Sequence, residues 1–242
     1  MTTVLKLGGS VVTEKGKPET VDDRALRQAA AAVGDTDGLV VVHGGGSFGH
    51  HHAAEHGVSA TDGTDDATAV RAIHGAMERL NRTVVGALAG AGSPAVPVHP
   101  LSAARRDETG GLALPTRQVA TMLEEGFLPV VHGDVIVHRR RGVTVLSGDE
   151  LVATLASDLD ADRVGVCSVE PGVYDADGEV IDRIDSFGVV ADALGESGAT
   201  DVTGGMAAKV RELLDVDSPA YVFGLEGLNA FVEGGEPGTR ID

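Results

Sequence analysis

Short apolar runs alternate with amphipathic segments along most of this 242-residue chain. The runs "TVLKL", "LVVV", "AVPV", "RVGVCSV" and "PAYVFG" are long enough for buried strands and too short for helices. Between them lie helical patterns, the longest of which spans about 66–88 with apolar residues at spacings of three and four. Another helix is expected to begin at Asp22 or Asp23 and to end at Gly34.

Buried strands that alternate with helices are typical of a parallel sheet with helices on both faces. We therefore expect an α/β fold, a three-layer αβα sandwich with a central, mainly parallel sheet, in a single domain over residues 1–242. A helix from about 48 to 56 and a hairpin that turns at 140–142 are also predicted. The ligand of such a fold lies across the carboxyl ends of the strands.

The composition is strongly acidic, with a formal net charge of −18. This charge argues against nucleic acid or an anionic membrane as a partner. No run approaches the roughly 18 apolar residues of a membrane span, and no signal-peptide pattern is visible, so the expected location is cytoplasmic. Cys167 is the single cysteine, which excludes an internal disulfide and a cysteine-based zinc site. Only four of the 19 basic residues are lysines, a composition typical of halophilic archaeal proteins, although an ordinary acidic protein is the alternative.

Three glycine-rich turns, in "LKLGGS", "HGGGSFGH" and "TGGMAAKV", each lie beside a predicted helix start. Glycine lets backbone amides converge on an anion, but tight packing alone also requires glycine. Lys6 precedes the first turn and Lys209 follows the third, and this combination predicts polyphosphate binding and phosphoryl transfer. Lys15 is either a third phosphate ligand or a solvated loop residue. No turn has the spacing of the common phosphate loop or of the dinucleotide fingerprint.

These motifs, together with "VVHGDV" and "SGDELV", resemble the amino acid kinase superfamily along the whole chain. The GGGSFGH stretch is most similar to the family within it that makes isopentenyl diphosphate from isopentenyl phosphate and ATP in isoprenoid biosynthesis. The resemblance implies the amino acid kinase fold, ATP and Mg²⁺ as cofactors, isopentenyl phosphate as the small-molecule substrate, and a homodimer. It also implies an acceptor-binding part of about 1–145 and a nucleotide-binding part of about 146–242.

The resemblance further implies a role for each motif residue. The ATP side would be formed by Lys6, Gly8, Gly9, Ser10, Gly46, Ser168, Gly204, Gly205 and Lys209. The acceptor side would be formed by Gly45, Gly46, His50, Gly148 and Asp149, with Asp134 nearby. The catalytic groups would be Lys6, Lys15, His50 and Lys209. One departure is Val169, where relatives commonly carry an acidic residue.

An imidazole suits an acceptor that is itself a phosphate. A phosphomonoester is largely ionised at neutral pH, so it needs a donor and charge balance rather than a base. His50 is the candidate donor. A competing interpretation is a metal site built from the histidines of this region, His43, His50, His51, His52 and His56. Consecutive histidines splay around a helix and no cysteine joins them, so no bound transition metal is predicted, and Mg²⁺ is expected to arrive with ATP near Asp134 and Asp149.

The long helix offers Ile73, Met77 and Val84 as a wall for a five-carbon chain, although such residues also simply pack on a sheet. Three further functions stay open at this point. One is a kinase of the same superfamily with a different phosphate, phosphonate or carboxylate acceptor. Another is a non-catalytic nucleotide-binding regulatory subunit, against which the retained lysines argue. Metal storage by the histidine cluster is a third.

Overall fold

A computed structural model describes residues 1–190 and 205–242. Its strands, in chain order, are β1 (Thr3–Leu7), β2 (Leu39–His43), β3 (Ala95–Val98), β4 (Arg105–Arg106), β5 (Leu112–Ala113), β6 (Leu128–His132), β7 (Asp134–His138), β8 (Gly142–Leu146), β9 (Arg163–Ser168), β10 (Arg183–Ile184), β11 (Ala220–Gly224) and β12 (Thr239–Ile241). An eight-stranded sheet has the order β10-β12-β11-β9-β1-β2-β6-β3, and its neighbours are parallel except β11 with β12. A separate four-stranded sheet has the order β5-β4-β7-β8.

The helices cover both faces of the large sheet. They are α1 (Gly9–Val12), α2 (Asp23–Val33), α3 (Gly46–Glu55), α4 (Ala67–Gly90), α5 (Thr116–Glu124), α6 (Gly148–Asp158), α7 (Gly205–Leu214) and α8 (Leu228–Val232). Val4 of β1 shares one core with Leu151 of α6, whereas its neighbour Leu5 shares the opposite core with Leu80 of α4. This alternation is that of a strand buried on both faces, and the predicted αβα sandwich is confirmed. Within the described ranges, no helix is both long and apolar enough to cross a bilayer.

Most predicted element boundaries agree with the structure. The Asp22 side chain caps α2 by accepting hydrogen bonds from two backbone N–H groups, and Gly34 ends this helix as predicted. The long helix α4 is capped by Asp66 and runs two residues beyond its predicted end. Helix α3 begins two residues before its predicted start, at Gly46. The predicted hairpin is the pair β7 and β8, which lies in the small sheet rather than in the large one.

The small sheet is joined to the start of α6. Strand β8 ends at Leu146, and the next residue, Ser147, caps α6 by accepting a hydrogen bond from the Glu150 backbone N–H. The Arg106 guanidinium of β4 binds the Glu150 carboxylate through two N–O contacts of 2.5 Å each. A two-point contact of this kind fixes both distance and orientation, so the first turn of α6 is held in place beside the sheet edge.

The turns after β1 and β2 touch each other backbone to backbone. A Cβ atom on Gly9 would lie 2.3 Å from the Gly46 nitrogen, and one on Gly44 would lie 2.7 Å from the Gly9 nitrogen. Gly46 also has a φ of +47°, a region that glycine adopts at little cost. The Thr13 hydroxyl secures this contact, since it donates to the Gly9 carbonyl oxygen and accepts from the Ser47 backbone N–H. Glycine is therefore required here for the approach of two loops.

We predict that Gly9→Ala lowers the free energy of unfolding by about 1–3 kcal/mol, because overpacking a site closed by backbone costs that much. The matched control is Gly86→Ala on the exposed face of α4, where a Cβ meets nothing within 4 Å. That change is expected to stabilise the helix by about 0.5–1 kcal/mol. Urea titrations of both variants in the same KCl buffer measure the difference. Wild-type stability of Gly9→Ala would contradict the proposed contact.

Candidate active site

A cavity of about 630 Å³ opens at the carboxyl ends of β1, β2 and β9. Most of the sequence-predicted site residues line it, namely Lys6, Gly8, Gly9, Ser10, Lys15, Gly45, His50, Asp134, Gly148, Asp149, Ser168, Gly205 and Lys209. Gly46 does not line the cavity and instead packs against Gly9 and Thr13. Contact between the two loops therefore explains why a glycine is needed at this position. Gly204 lies outside the described residues.

One end of the cavity holds lysine ammonium groups together with carboxylates. The Lys6 Nζ atom lies 2.5 Å from Asp149 Oδ2, and both side chains are largely buried. Burial alone would raise the pKa of Asp149, but the Lys6 and Lys209 ammonium groups hold that pKa below its ordinary value. Asp149 is therefore a carboxylate that positions Lys6, and Gly148 leaves room for the lysine stem, since a Cβ there would lie 3.2 Å from Lys6 Cε.

Glu212 is a cavity residue that the sequence analysis missed. It lies on α7 three residues after Lys209, and its Oε2 atom is buried with no hydrogen-bond partner in the structure. Burial, together with the nearby Asp149 carboxylate, raises the pKa of Glu212 to about 7. The spacing of three residues on one helix is the signal that could have identified it, because such residues share a face.

The other end of the cavity is largely apolar. It is lined by Ile73 and Met77 of α4, as the sequence analysis expected, whereas Val84 is fully buried in the core beneath the large sheet. A Cβ on Gly49 would lie 2.8 Å from the Met77 sulfur, so glycine at this position lets α3 and α4 pack closely. His50, the residue after Gly49, lines the cavity beside this apolar end.

Asp134 lines the cavity, yet its carboxylate is committed to neighbouring groups. It lies 2.9 Å from His74 Nδ1 and accepts hydrogen bonds from the backbone N–H groups of Val135 and Leu101. Burial raises the pKa of Asp134, and the His74 contact opposes that change. The same hydrogen bond raises the pKa of His74, against the opposing effect of its own partial burial. The pair ties α4 to the start of β7, and nothing in the sequence signals it.

Two buried histidines fix the chain where neighbouring strands end. His43 of β2 and His132 of β6 pair in register, and their rings stack with centroids 5.5 Å apart. Each Nδ1 atom faces the carbonyl oxygen of the next residue, at 3.1 Å for His43 and 2.9 Å for His132. The second nitrogen of His43 lies 3.1 Å from the Asn81 carboxamide. Burial lowers the pKa of His43 to about 4, so this ring is neutral and acts by hydrogen bonding.

The remaining histidines of the region lie outside the cavity wall. His51 is exposed at the surface of α3, and His52 contacts the Glu19 carboxylate at 2.6 Å. His56 follows the last residue of α3. Of the histidines between His50 and His56, His50 is thus the one that the structure brings to the cavity.

Residues 1–216 match the amino acid kinase family. Over 241 residues the chain is 62% identical to an isopentenyl phosphate kinase of Haloferax volcanii, covering 98% of this chain and 97% of that relative. Among solved structures, an isopentenyl phosphate kinase aligns with a TM-score of 0.84 at 29% identity, with each chain fully covered. A product complex of the isopentenyl phosphate kinase of T. acidophilum aligns with a TM-score of 0.80 at 25% identity, again over both whole chains. The chain belongs to the amino acid kinase family.

Proposed function

We propose that this chain is an isopentenyl phosphate kinase. It transfers the γ-phosphoryl group of ATP to isopentenyl phosphate and releases isopentenyl diphosphate and ADP. The sequence identity of 62% to an isopentenyl phosphate kinase over nearly the whole chain supports this substrate pair. The structural similarity to an isopentenyl phosphate kinase product complex supports it as well.

The observation that carries the proposal is the polarity of one continuous cavity. One end holds the ammonium groups of Lys6 and Lys209, and the other holds Ile73 and Met77, with His50 on the wall as well. A phosphorylated alkyl chain has the complementary arrangement, because its charged head requires donors and its five-carbon tail requires an apolar slot. Burial of that tail is worth about 0.8 kcal/mol per CH₂, or roughly 4 kcal/mol in all.

On the nucleotide side, the phosphates of ATP bind the amides of Gly8, Gly9 and Ser10. Lys6 and Lys209 neutralise the charge that spreads over the transferred group, and Asp149 holds Lys6 in place. The second half of the chain, about 146–242, supplies Ser168, Gly204 and Gly205 to the same ligand. Lys15, on the cavity wall, assists the transferred group.

On the acceptor side, His50 donates a hydrogen bond to the phosphate of isopentenyl phosphate. An oxygen of that phosphate attacks the γ-phosphorus while the bond from this phosphorus to the bridging oxygen of ADP breaks. The attacking oxygen is already ionised at neutral pH, so no base has to remove a proton. The site acts by alignment and by charge balance, which are the main contributions to phosphoryl transfer. Gly45 and Gly148 border the two phosphates and keep side chains out of their path.

The cavity wall fits a magnesium ion carried with ATP. Glu212 offers a buried, unpartnered carboxylate oxygen, and the Asp149 carboxylate lies near enough to raise its pKa. Mg²⁺ prefers such oxygen ligands and keeps most of its water, so Glu212 would hold it through water. The ion would offset the negative charge of the β- and γ-phosphates.

The cellular environment and the partners of the enzyme are inferred from its composition and from the family resemblance. The net charge of −18 with only four lysines supports work in a cytoplasm of high salt concentration, where surface carboxylates are screened. The acidic surface disfavours nucleic acids and anionic membranes as partners. A homodimer is proposed from the family resemblance.

An acceptor screen with ATP in concentrated KCl tests the activity. We expect isopentenyl phosphate and dimethylallyl phosphate to be phosphorylated with a kcat/KM at least about a hundredfold above that of carbamate, acetylglutamate or UMP, which lack the apolar tail or exceed the slot. The rate of ADP release measures kcat/KM for each acceptor, and phosphorus NMR identifies the product. Preference for another acceptor would indicate a different kinase of the family. Failure to consume ATP with any acceptor would indicate a regulatory subunit.

His50→Ala should raise the KM for isopentenyl phosphate or lower kcat by about tenfold or more, since a hydrogen bond to a charged group is lost. The KM for ATP should change little. His51→Ala is the matched control, because the neighbouring ring is exposed and lies outside the cavity. Steady-state kinetics with each substrate varied separately distinguishes the effects. Equal kinetics for the two variants would remove His50 from the site.

Glu212→Gln should stabilise the ligand-free protein in a pH-dependent way. Burial raises the pKa of Glu212 in the folded protein to about 7, above its ordinary value of about 4.5, so the wild type loses stability as pH rises from 4.5 to 7 and the glutamine variant does not. The gain should reach about 1 kcal/mol above pH 7, after discounting for the half-exposed side chain, and vanish below about pH 4. Urea titrations across this range measure it. A pH-independent difference would show that carboxylate charge is not the cause.

A further inference from the structure

Three side chains at the end of α3 form a cluster on the outside of the active-site cavity. His52, Glu55 and His56 each offer one ligand atom, and these atoms lie within 4.8 Å of one another. None of the three lines the cavity. The sequence analysis predicted no bound transition metal here because consecutive histidines splay around a helix. That argument applies to His51, but residues three and four apart share one helix face, and the structure brings them together.

His52 is oriented by a carboxylate that is itself held in place. Its Nε2 atom lies 2.6 Å from Glu19 Oε1, and the Arg79 guanidinium donates to both oxygens of Glu19, at 2.7 and 3.1 Å. The Glu19 carboxylate, paired with the Arg79 guanidinium, is placed to accept a hydrogen bond from His52 Nε2–H. A neutral imidazole that donates through Nε2–H carries its lone pair on Nδ1.

The second nitrogen of His52 has no hydrogen-bond partner in the structure although it is buried from solvent. Its closest charged neighbour is Glu55, whose Oε2 atom lies 3.5 Å away. A histidine that gives one N–H to a carboxylate and turns its other nitrogen toward further ligands has the arrangement found at metal-binding histidines. His56 caps the carboxyl end of α3, where the helix dipole favours a cation.

We infer that His52 Nδ1, the Glu55 carboxylate and a ring nitrogen of His56 bind a divalent transition-metal ion, with Zn²⁺ as the representative case. Two imidazoles and one carboxylate are a ligand set that zinc accepts, with water in the fourth position. Mg²⁺ and Ca²⁺ are disfavoured because they prefer oxygen ligands. The acidic surface of the chain raises the local concentration of any cation.

The ion would bridge side chains of the last turn of α3, and the hydrogen bond between His52 Nε2 and Glu19 links that turn to the loop that carries Glu19. The glycine turn lies at the start of the same helix, and His50 lies in its middle, two residues before His52. The site is therefore structural in character: it holds side chains of the last turn of α3 that do not line the cavity, and by mass action it stabilises the folded chain whenever the ion is present.

Calorimetric titration of chelator-treated protein, produced without a histidine tag and kept in KCl buffer, tests the site. We expect one Zn²⁺ per chain, with affinity reduced by at least about tenfold in His52→Ala and in His56→Ala. His51→Ala is the matched control and should bind like the wild type, since its ring adjoins the cluster without belonging to it. His52→Gln provides a second variant with a side chain of similar size. Cobalt substitution gives an independent readout, because its visible absorption reports nitrogen ligands and geometry.

Glu19→Gln distinguishes a preorganised metal site from adventitious binding to surface histidines. Loss of the orienting carboxylate should weaken Zn²⁺ binding by about 10–100-fold while leaving all three ligands in place. Equal affinity in wild type and in the His52→Ala, His56→Ala double variant would overturn the proposal. So would an equal loss in His51→Ala, because adventitious binding to any exposed imidazole would then explain the titration.

Discussion

The close approach of two glycine turns is the constraint on which the rest of the site depends. Gly9 and Gly46 meet backbone to backbone, which places the end of β1 directly against the start of α3. One of these elements brings Lys6 to the cavity and the other brings His50. Two phosphorylated molecules must align to within about 3–3.5 Å between reacting atoms, so a displacement of an ångström between the turns would matter. Side chains are absent here because the loops need the space.

Although the chain is acidic, its cavity can bind anionic ligands because acidic residues on the cavity wall are paired or protonated in different ways. Asp149 is neutralised by Lys6 and Lys209, and Glu212 is held partly protonated near neutral pH. Asp134, at the far end, is committed to His74 and to backbone amides. With these carboxylates paired or partly protonated, ammonium groups and backbone amides of the cavity wall can meet anionic ligands.

The large sheet and its helices could be predicted because doubly buried strands produce continuous apolar runs. Strands β4, β5 and β12 are only two or three residues long, too short to show a repeat. The pair of Asp134 and His74 joins residues sixty positions apart, and no local pattern links them. Glu212 was detectable from its spacing to Lys209 on one helix. Gly46 was assigned to phosphates because a sequence cannot distinguish a glycine that admits a ligand from one that admits a neighbouring backbone.

The single cysteine of the chain takes no part in the proposed reaction, but its burial has a practical use. Cys167 lies fully buried at the end of β9, its carbonyl oxygen accepts from the Gly8 N–H, and burial raises the pKa of its thiol to about 12. Electrophilic reagents that modify thiolates therefore find this sulfur protonated and unreactive in the folded protein. A cysteine engineered anywhere on the exterior would be the sole site of alkylation, so spectroscopic labels could be attached one at a time without first removing a native group.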